Sequence, residues 1–156
     1  MRWTLKPKPE IEKVQALQEA LQVSEPIATL LVQRGIETYE EAKTFFRPSL
    51  KDLHDPYLMK DMDKAVARIE KAIANKENIL VYGDYDVDGT TSVALMSSYL
   101  KTKHGLVYTY IPNRYDEGYG VSYKGINFAL ENDFSLIIAL DCGVKAVEKV
   151  AYAKKL

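Results

Sequence analysis

From residue 79 onward, short apolar runs alternate with helical patterns, and no other feature restricts the fold as strongly. The segments read as strand 79–83, helix 90–103, strand 107–111, helix 122–131, strand 135–141 and helix 144–155. Strands linked by single helices with short connections lie parallel, with the helices packed over the sheet. The expected class is therefore α/β, a parallel sheet with helices on both faces. Ile79 to Tyr82 is short, β-branched and aromatic without polar alternation, as expected of a strand covered on both sides.

The chain before this point has a different character. Residues 1–10 hold two prolines and two lysines around Trp3, an extended arm whose tryptophan is expected to anchor on the body. Val14, Leu17, Ala20 and Leu21 recur at helical spacing; Ser24 with Pro26 starts a second helix expected to end at Gly35. Thr38-Tyr-Glu-Glu41 has the capping-box pattern and opens a helix presenting Ala42, Phe45 and Phe46, which Arg47-Pro48 ends. Residues 48–60 suit a surface linker, and a helix from Met62 to Asn75 puts Met62, Val66, Ile69 and Ile73 on one stripe. The expected division is a helical module with its linker at 1–60, then an α/β domain from 61.

The chemistry lies where the first strand ends. Asp84, Asp86 and Asp88 crowd three carboxylates into five residues, and their mutual repulsion is most simply relieved by a divalent cation. In open α/β sheets, ligands bind beyond the carboxyl ends of the strands. The third strand ends in Asp141, so four acids are expected on one rim, where hard oxygen donors suit hard cations. Thr90, Thr91 and Ser92 follow at an expected helix start, where free amides and hydroxyls can meet phosphate; N-capping is their simpler role. The loop 112–122 carries Arg114 for a phosphate and Tyr115 or Tyr119 for stacking on a base. Cys142 is expected to be a small buried packer, and His54 and His104 structural or solvated.

Charge decides what could approach this rim. The whole chain carries a formal −1, from 21 basic and 22 acidic residues among 156, so no global basic field announces nucleic acid. Between residues 79 and 122, five acids face three basic residues, and a phosphate-bearing substrate needs bound metal to reverse that sign. One cysteine excludes an internal disulfide, and no run reaches the roughly 20 apolar residues of a membrane span. A cytoplasmic protein is expected.

Three motif readings compete for the acidic stretch. Asp84-x-Asp86-x-Asp88-Gly89 opens like an EF-hand calcium loop, but position twelve is Leu95 where a bidentate glutamate is required, and a strand-like run precedes it. Asp86-Val-Asp88-Gly89-Thr90 matches the haloacid dehalogenase nucleophile motif, with Asp86 phosphorylated and Asp88 as acid/base. There the nucleophile directly follows the strand, whereas Gly83-Asp84-Tyr85 intervenes here, and the 112–122 loop is not accounted for. The third reading uses every piece. Tyr-Gly-Asp-Tyr-Asp-Val-Asp-Gly-Thr-Thr-Ser at 82–92, Ile-Pro-Asn-Arg-Tyr-Asp-Glu-Gly-Tyr-Gly at 111–120 and Leu-Asp-Cys-Gly at 140–143 together resemble the DHH phosphoesterase superfamily, on its branch of single-strand DNA exonucleases.

That resemblance covers the chain from about residue 65, and the preceding helical module looks like the N-terminal region of the same family. It implies that Asp86, Asp88 and Asp141 ligate or bridge manganese or magnesium in a two-metal site and carry catalysis, with Asp84 in or beside the set. It further implies phosphodiester hydrolysis from the 5′ end of single-stranded DNA in recombination and repair. A non-catalytic metal-binding or nucleotide-binding domain is the alternative of a different class. The sequence departs from the family in one respect, because the Asp-His-His segment expected beyond Asp141 is not among these residues. A fragment cut within the catalytic domain is expected, inactive alone and needing the remainder of its own chain, the Asp-His-His segment and a second domain, for a complete site.

Overall fold

In the computed structural model, which describes residue 2 and residues 4–156, the chain divides into two units, 1–58 and 59–156. Trp3, the expected anchor, lies outside the described residues. The first unit contains helices α1 (Ile11–Leu21), α2 (Glu25–Val32) and α3 (Tyr39–Phe46). Val14 and Leu17 of α1 bury against Ala28, Leu31 and Val32 of α2 and Ala42 of α3. Helix α2 stops at Val32, and a turn carries the chain to Gly35, whose φ of +81° closes it. The capping box of α3 is present: Glu41 N–H donates to the Thr38 hydroxyl at 3.2 Å while the Glu41 carboxylate accepts the Thr38 N–H at 3.0 Å. Phe45 and Phe46 do not enter the core; they stack edge to face on the surface, with ring centroids 5.1 Å apart.

The second unit holds α4 (Met62–Ala74), β1 (Asn78–Gly83), α5 (Val87–Lys101), β2 (Val107–Tyr110), α6 (Tyr123–Glu131), β3 (Phe134–Leu140) and α7 (Val147–Ala153). The sheet is parallel with strand order β2-β1-β3. Strand β1 is central, and Ile79, Leu80, Val81 and Tyr82 are all 0–1% exposed. Burial of such side chains contributes about 1.5–3 kcal/mol each, so this run anchors the unit. Ile79 and Val81 face α4 and α5 through Ala72, Val93 and Leu100, while Tyr82 faces α6 and the loop before it through Ile126 and Val121. Helices cover both faces, as the alternating pattern requires.

Two helix starts differ from the sequence reading. Helix α5 begins at Val87, not residue 90, because Asp86 is its N-cap and accepts the Gly89 N–H at 3.0 Å. Helix α7 spans Val147–Ala153 and not 144–155, because the chain after Gly143 (φ +65°) stays irregular through Ala146, whose ψ of 41° is not helical.

The β1–β3 register slips by one residue between Asn78 and Ile79, which leaves Ser135 unpaired. Side chains satisfy it: Arg68 donates to the Ser135 carbonyl at 2.9 Å, and the Ser135 hydroxyl donates to Glu77 at 2.6 Å. Hydrogen bonds from Ser135, Arg68 and Asn75 pull the Glu77 carboxyl down to about 2. A depressed carboxylate pKa adds stability above the unfolded value, and that stability is lost as pH falls toward the folded one. Wild-type stability is thus expected to decline between about pH 4.5 and 2, with a shallower decline in Glu77→Gln. Urea midpoints across that window check it; identical slopes would remove Glu77 from the account.

Candidate functional site

Gly83 at the end of β1 pairs with Leu140 at the end of β3, so Asp84 and Asp141 leave adjacent strands side by side. Asp84 is 1% exposed. Its Oδ1 accepts the Gly120 N–H at 3.2 Å, and its Oδ2 is buried with no hydrogen-bond partner among the described residues. Asp141 is exposed and adopts φ +56°, a left-handed conformation that costs a non-glycine residue about 1–2 kcal/mol. Partial desolvation at the rim, then the charges of Asp86, Asp88 and Asp84, raise the Asp141 carboxyl above its usual value. The four aspartates thus share one rim and repel one another. They do not form a closed shell: among the described residues no three His, Cys, Asp or Glu side chains converge as a metal-holding group.

An unpartnered buried carboxylate oxygen beside three further acids fits a hard cation, since both the orphaned acceptor and the repulsion are relieved by positive charge. The aspartates therefore suit manganese or magnesium as a partial donor set.

The hydroxyl residues take up different positions from those expected. Thr90 N–H bonds to the Asp86 carbonyl at 3.0 Å, and its hydroxyl donates to the same oxygen at 2.7 Å. The free amides expected at 90–92 are absent because the helix has already begun at Val87; Thr91 and Ser92 stand one turn inside it. The 112–122 loop does reach the rim. The Arg114 guanidinium lies 4.4 Å from the Tyr85 ring centroid, a cation–π contact beside Asp84 and Asp86. The Tyr119 hydroxyl donates to the Asp141 carbonyl at 3.2 Å, and Tyr115 is 92% exposed.

Cys142 is buried; burial, with Asp84 and Asp141 nearby, pushes its thiol up to about 11. His104 is also buried, its Nε2 2.7 Å from the Glu77 carbonyl, well away from the acids in the chain fold.

Three contributors escape sequence reasoning. Tyr85 stands between two acids, and an aromatic beside a cationic loop is a readable pairing only once both are in space. Glu117 counts in the sequence as charge alone, yet it accepts hydrogen bonds from Asn113, Tyr110 and Ser122. Ser122 reads as the end of a loop; it caps α6 by accepting the Gly125 N–H at 2.8 Å, a role that its place before a helix signals.

Residues 78–156 match the family described as "DHH family, N-terminal domain". The chain belongs to the DHH family. The single-stranded-DNA-specific exonuclease RecJ of Bacillus subtilis (strain 168) is 42% identical over 156 residues, all of this chain and 20% of that protein. RecJ of Thermus thermophilus is 30% identical over 147 residues, 92% of this chain and again 20% of the relative. This DHH chain therefore spans about a fifth of the length of the relatives it matches. In three dimensions it is similar to the crystal structure of Thermus thermophilus RecJ in complex with Mn2+, with a TM-score of 0.66 and 26% identity over 96% of this chain and 20% of that one. A crystal structure of exonuclease RecJ bound to manganese matches with a TM-score of 0.57 and 32% identity, over 63% of this chain and 25% of that one. The likenesses to Bacillus subtilis RecJ and to the Thermus thermophilus structure extend into the helical N-terminal part, and together these matches favour the DHH reading over a haloacid dehalogenase. No described helix is long and apolar enough to cross a membrane.

Proposed function

We propose that this chain contributes one wall of the active site of a metal-dependent exonuclease that degrades single-stranded DNA from 5′ to 3′ in recombination and repair in the cytoplasm. The observation that carries the reading is the buried, unpartnered Oδ2 of Asp84 on a rim shared with Asp86, Asp88 and Asp141, in a DHH chain similar over its whole length to a single-stranded-DNA-specific exonuclease. Asp86, Asp88 and Asp141 are the catalytic ligands, Asp84 completes their side, and manganese or magnesium is the cation. When two such ions are bound, they supply Lewis acidity and offset the charge of the phosphodiester.

The protein's own groups then position the substrate. Arg114 pairs with a backbone phosphate, and Tyr115 and Tyr119 offer faces to the unstacked bases of a single strand. Thr91 and Ser92 present hydroxyls toward phosphate from the first turns of α5, and Thr90, already bonded to Asp86, holds that N-terminus in shape. Water and substrate oxygens fill part of two such coordination shells, and the further protein ligands that the family resemblance implies, an Asp-His-His segment and a closing domain, belong to the longer protein of which the relatives' lengths make this chain a part.

The test is cleavage of a 5′-phosphorylated, end-labelled oligonucleotide by the complete protein with manganese, which should release nucleotides from the 5′ end and stop in chelator. Asp88→Asn is expected to weaken manganese binding, read by calorimetry, while leaving unfolding cooperative, because a rim residue adds little packing. Release from the 3′ end, or metal-independent cleavage, would overturn the proposal.

A further inference from the structure

We infer that Glu117 is a positioning residue, fastening the 112–122 loop to the sheet so that the Gly120 amide reaches Asp84 and Arg114 lies over Tyr85. Its carboxylate draws together three separate pieces of chain. The Asn113 N–H at the loop's start donates to Oε1 at 2.8 Å; the Tyr110 hydroxyl from the end of β2 donates to Oε2 at 2.9 Å; the Ser122 hydroxyl at the loop's end also donates to Oε2. Hydrogen bonds to an ionised acceptor are the strong kind. Burial alone would raise the Glu117 carboxyl, yet the bonds from Ser122, Asn113 and Tyr110 hold it below the usual range.

Ser122 passes the restraint on. Its N–H donates to the Tyr82 hydroxyl at 3.1 Å, and Tyr82 donates to the Gly120 carbonyl at 3.0 Å. Gly120 is thereby held at both ends of its backbone, its carbonyl on Tyr82 and its N–H on Asp84 Oδ1 at 3.2 Å. There is no slack at this point: Gly120 sits at φ +78°, and a Cβ there would lie 3.0 Å from the Cys142 carbonyl oxygen. The residues between Asn113 and Glu117 include Arg114, whose place over Tyr85 depends on the same closure. All three donors to Glu117 belong to the loop or its two attachment points, and through Ser122 and the buried Tyr82 the restraint reaches Gly120 at the acidic rim.

The consequence for cleavage rests on the nuclease reading; the fastening itself does not. In the complete protein, Glu117→Ala is expected to speed hydrogen exchange in the peptide spanning Gly118–Val121 at least about tenfold, while exchange across β1 stays unchanged. With manganese and saturating 5′-phosphorylated oligonucleotide, its single-turnover rate should fall about tenfold to a hundredfold, as for a displaced catalytic group. Glu117→Gln, which keeps one acceptor oxygen, should recover part of both. Unchanged exchange at Gly120 would overturn the inference, and so would faster exchange with an unaltered saturating rate. Should β1 protection collapse in Glu117→Ala, Tyr110→Phe removes one donor and keeps the ring; faster loop exchange supports the fastening and unchanged exchange refutes it. If the parent protein cleaves nothing with any metal, the nuclease reading fails, and the exchange result alone decides the role of Glu117.

Discussion

Asp84→Asn is expected to make the metal-free protein more stable and, in the same molecule, to remove manganese-dependent cleavage. Asp84 is 1% exposed, one of its oxygens has a single N–H donor and the other has none, and three more aspartates share its rim. An incompletely satisfied buried polar group costs about 1–3 kcal/mol, more when it is charged. Asparagine has the same shape, still accepts the Gly120 N–H through Oδ1, and carries no charge against Asp141. Its buried amide N–H2 forfeits part of the gain, so a net stabilisation of about 1 kcal/mol is expected without metal. Cleavage should drop by at least about a hundredfold, because the loss of one anionic ligand removes several kcal/mol of charge stabilisation. Urea midpoints with chelator and with manganese check both halves: the variant should start higher and gain less from the metal. A lower midpoint in chelator would make Asp84 a structural cap and separate it from the metal.

Gly89→Ala should have the largest effect on folding, with a sign opposite to helix propensity. Gly89 lies in the first turn of α5, where alanine is ordinarily favoured over glycine by about 1 kcal/mol. Here a Cβ would stand 2.3 Å from the Asp84 carbonyl oxygen and 2.6 Å from the Asp84 nitrogen, both backbone atoms that cannot rotate away. The N-terminus of α5 must therefore lift off the end of β1. Overpacking of this kind costs about 3 kcal/mol, and the same shift carries Asp86 and Asp88 away from Asp84. Chemical denaturation of the variant should show that loss, together with weakened manganese binding. A stabilised variant would mean that the helix start is free to move.

The same contact explains how legible the site is. The glycine stands in the sequence as the last residue of an acidic motif, and nothing in the motif says that its hydrogen faces the backbone five residues earlier. The acids are readable because carboxylates crowded at a strand end have few explanations. The β1 run is readable because four consecutive apolar residues have no polar face to show to water. Helix starts are less so: Asp86 reads as a metal-ligand candidate, and its second role as the cap of α5 moves the helix three residues earlier and takes away the free amides expected at Thr90. Glu117 and Tyr85 escape because their partners, Ser122, Tyr110 and Arg114, are fixed only when the loop folds back over the rim.

What the linear order of residues determined by itself is the alternation of strands and helices, the family, and the identity of the acids at the strand ends. The alternation and the acids follow from periodicity and from side-chain chemistry, which are local, and the family follows from the likeness of its motifs to those of known sequences. Tertiary structure alone decided that Asp84 is buried with one oxygen unpartnered, that Asp141 adjoins it through the pairing of Gly83 with Leu140, and that the 112–122 loop is held against both. Those facts depend on which strands become neighbours and how closely a helix end approaches a strand end, and such distances are set by packing between segments far apart in the chain.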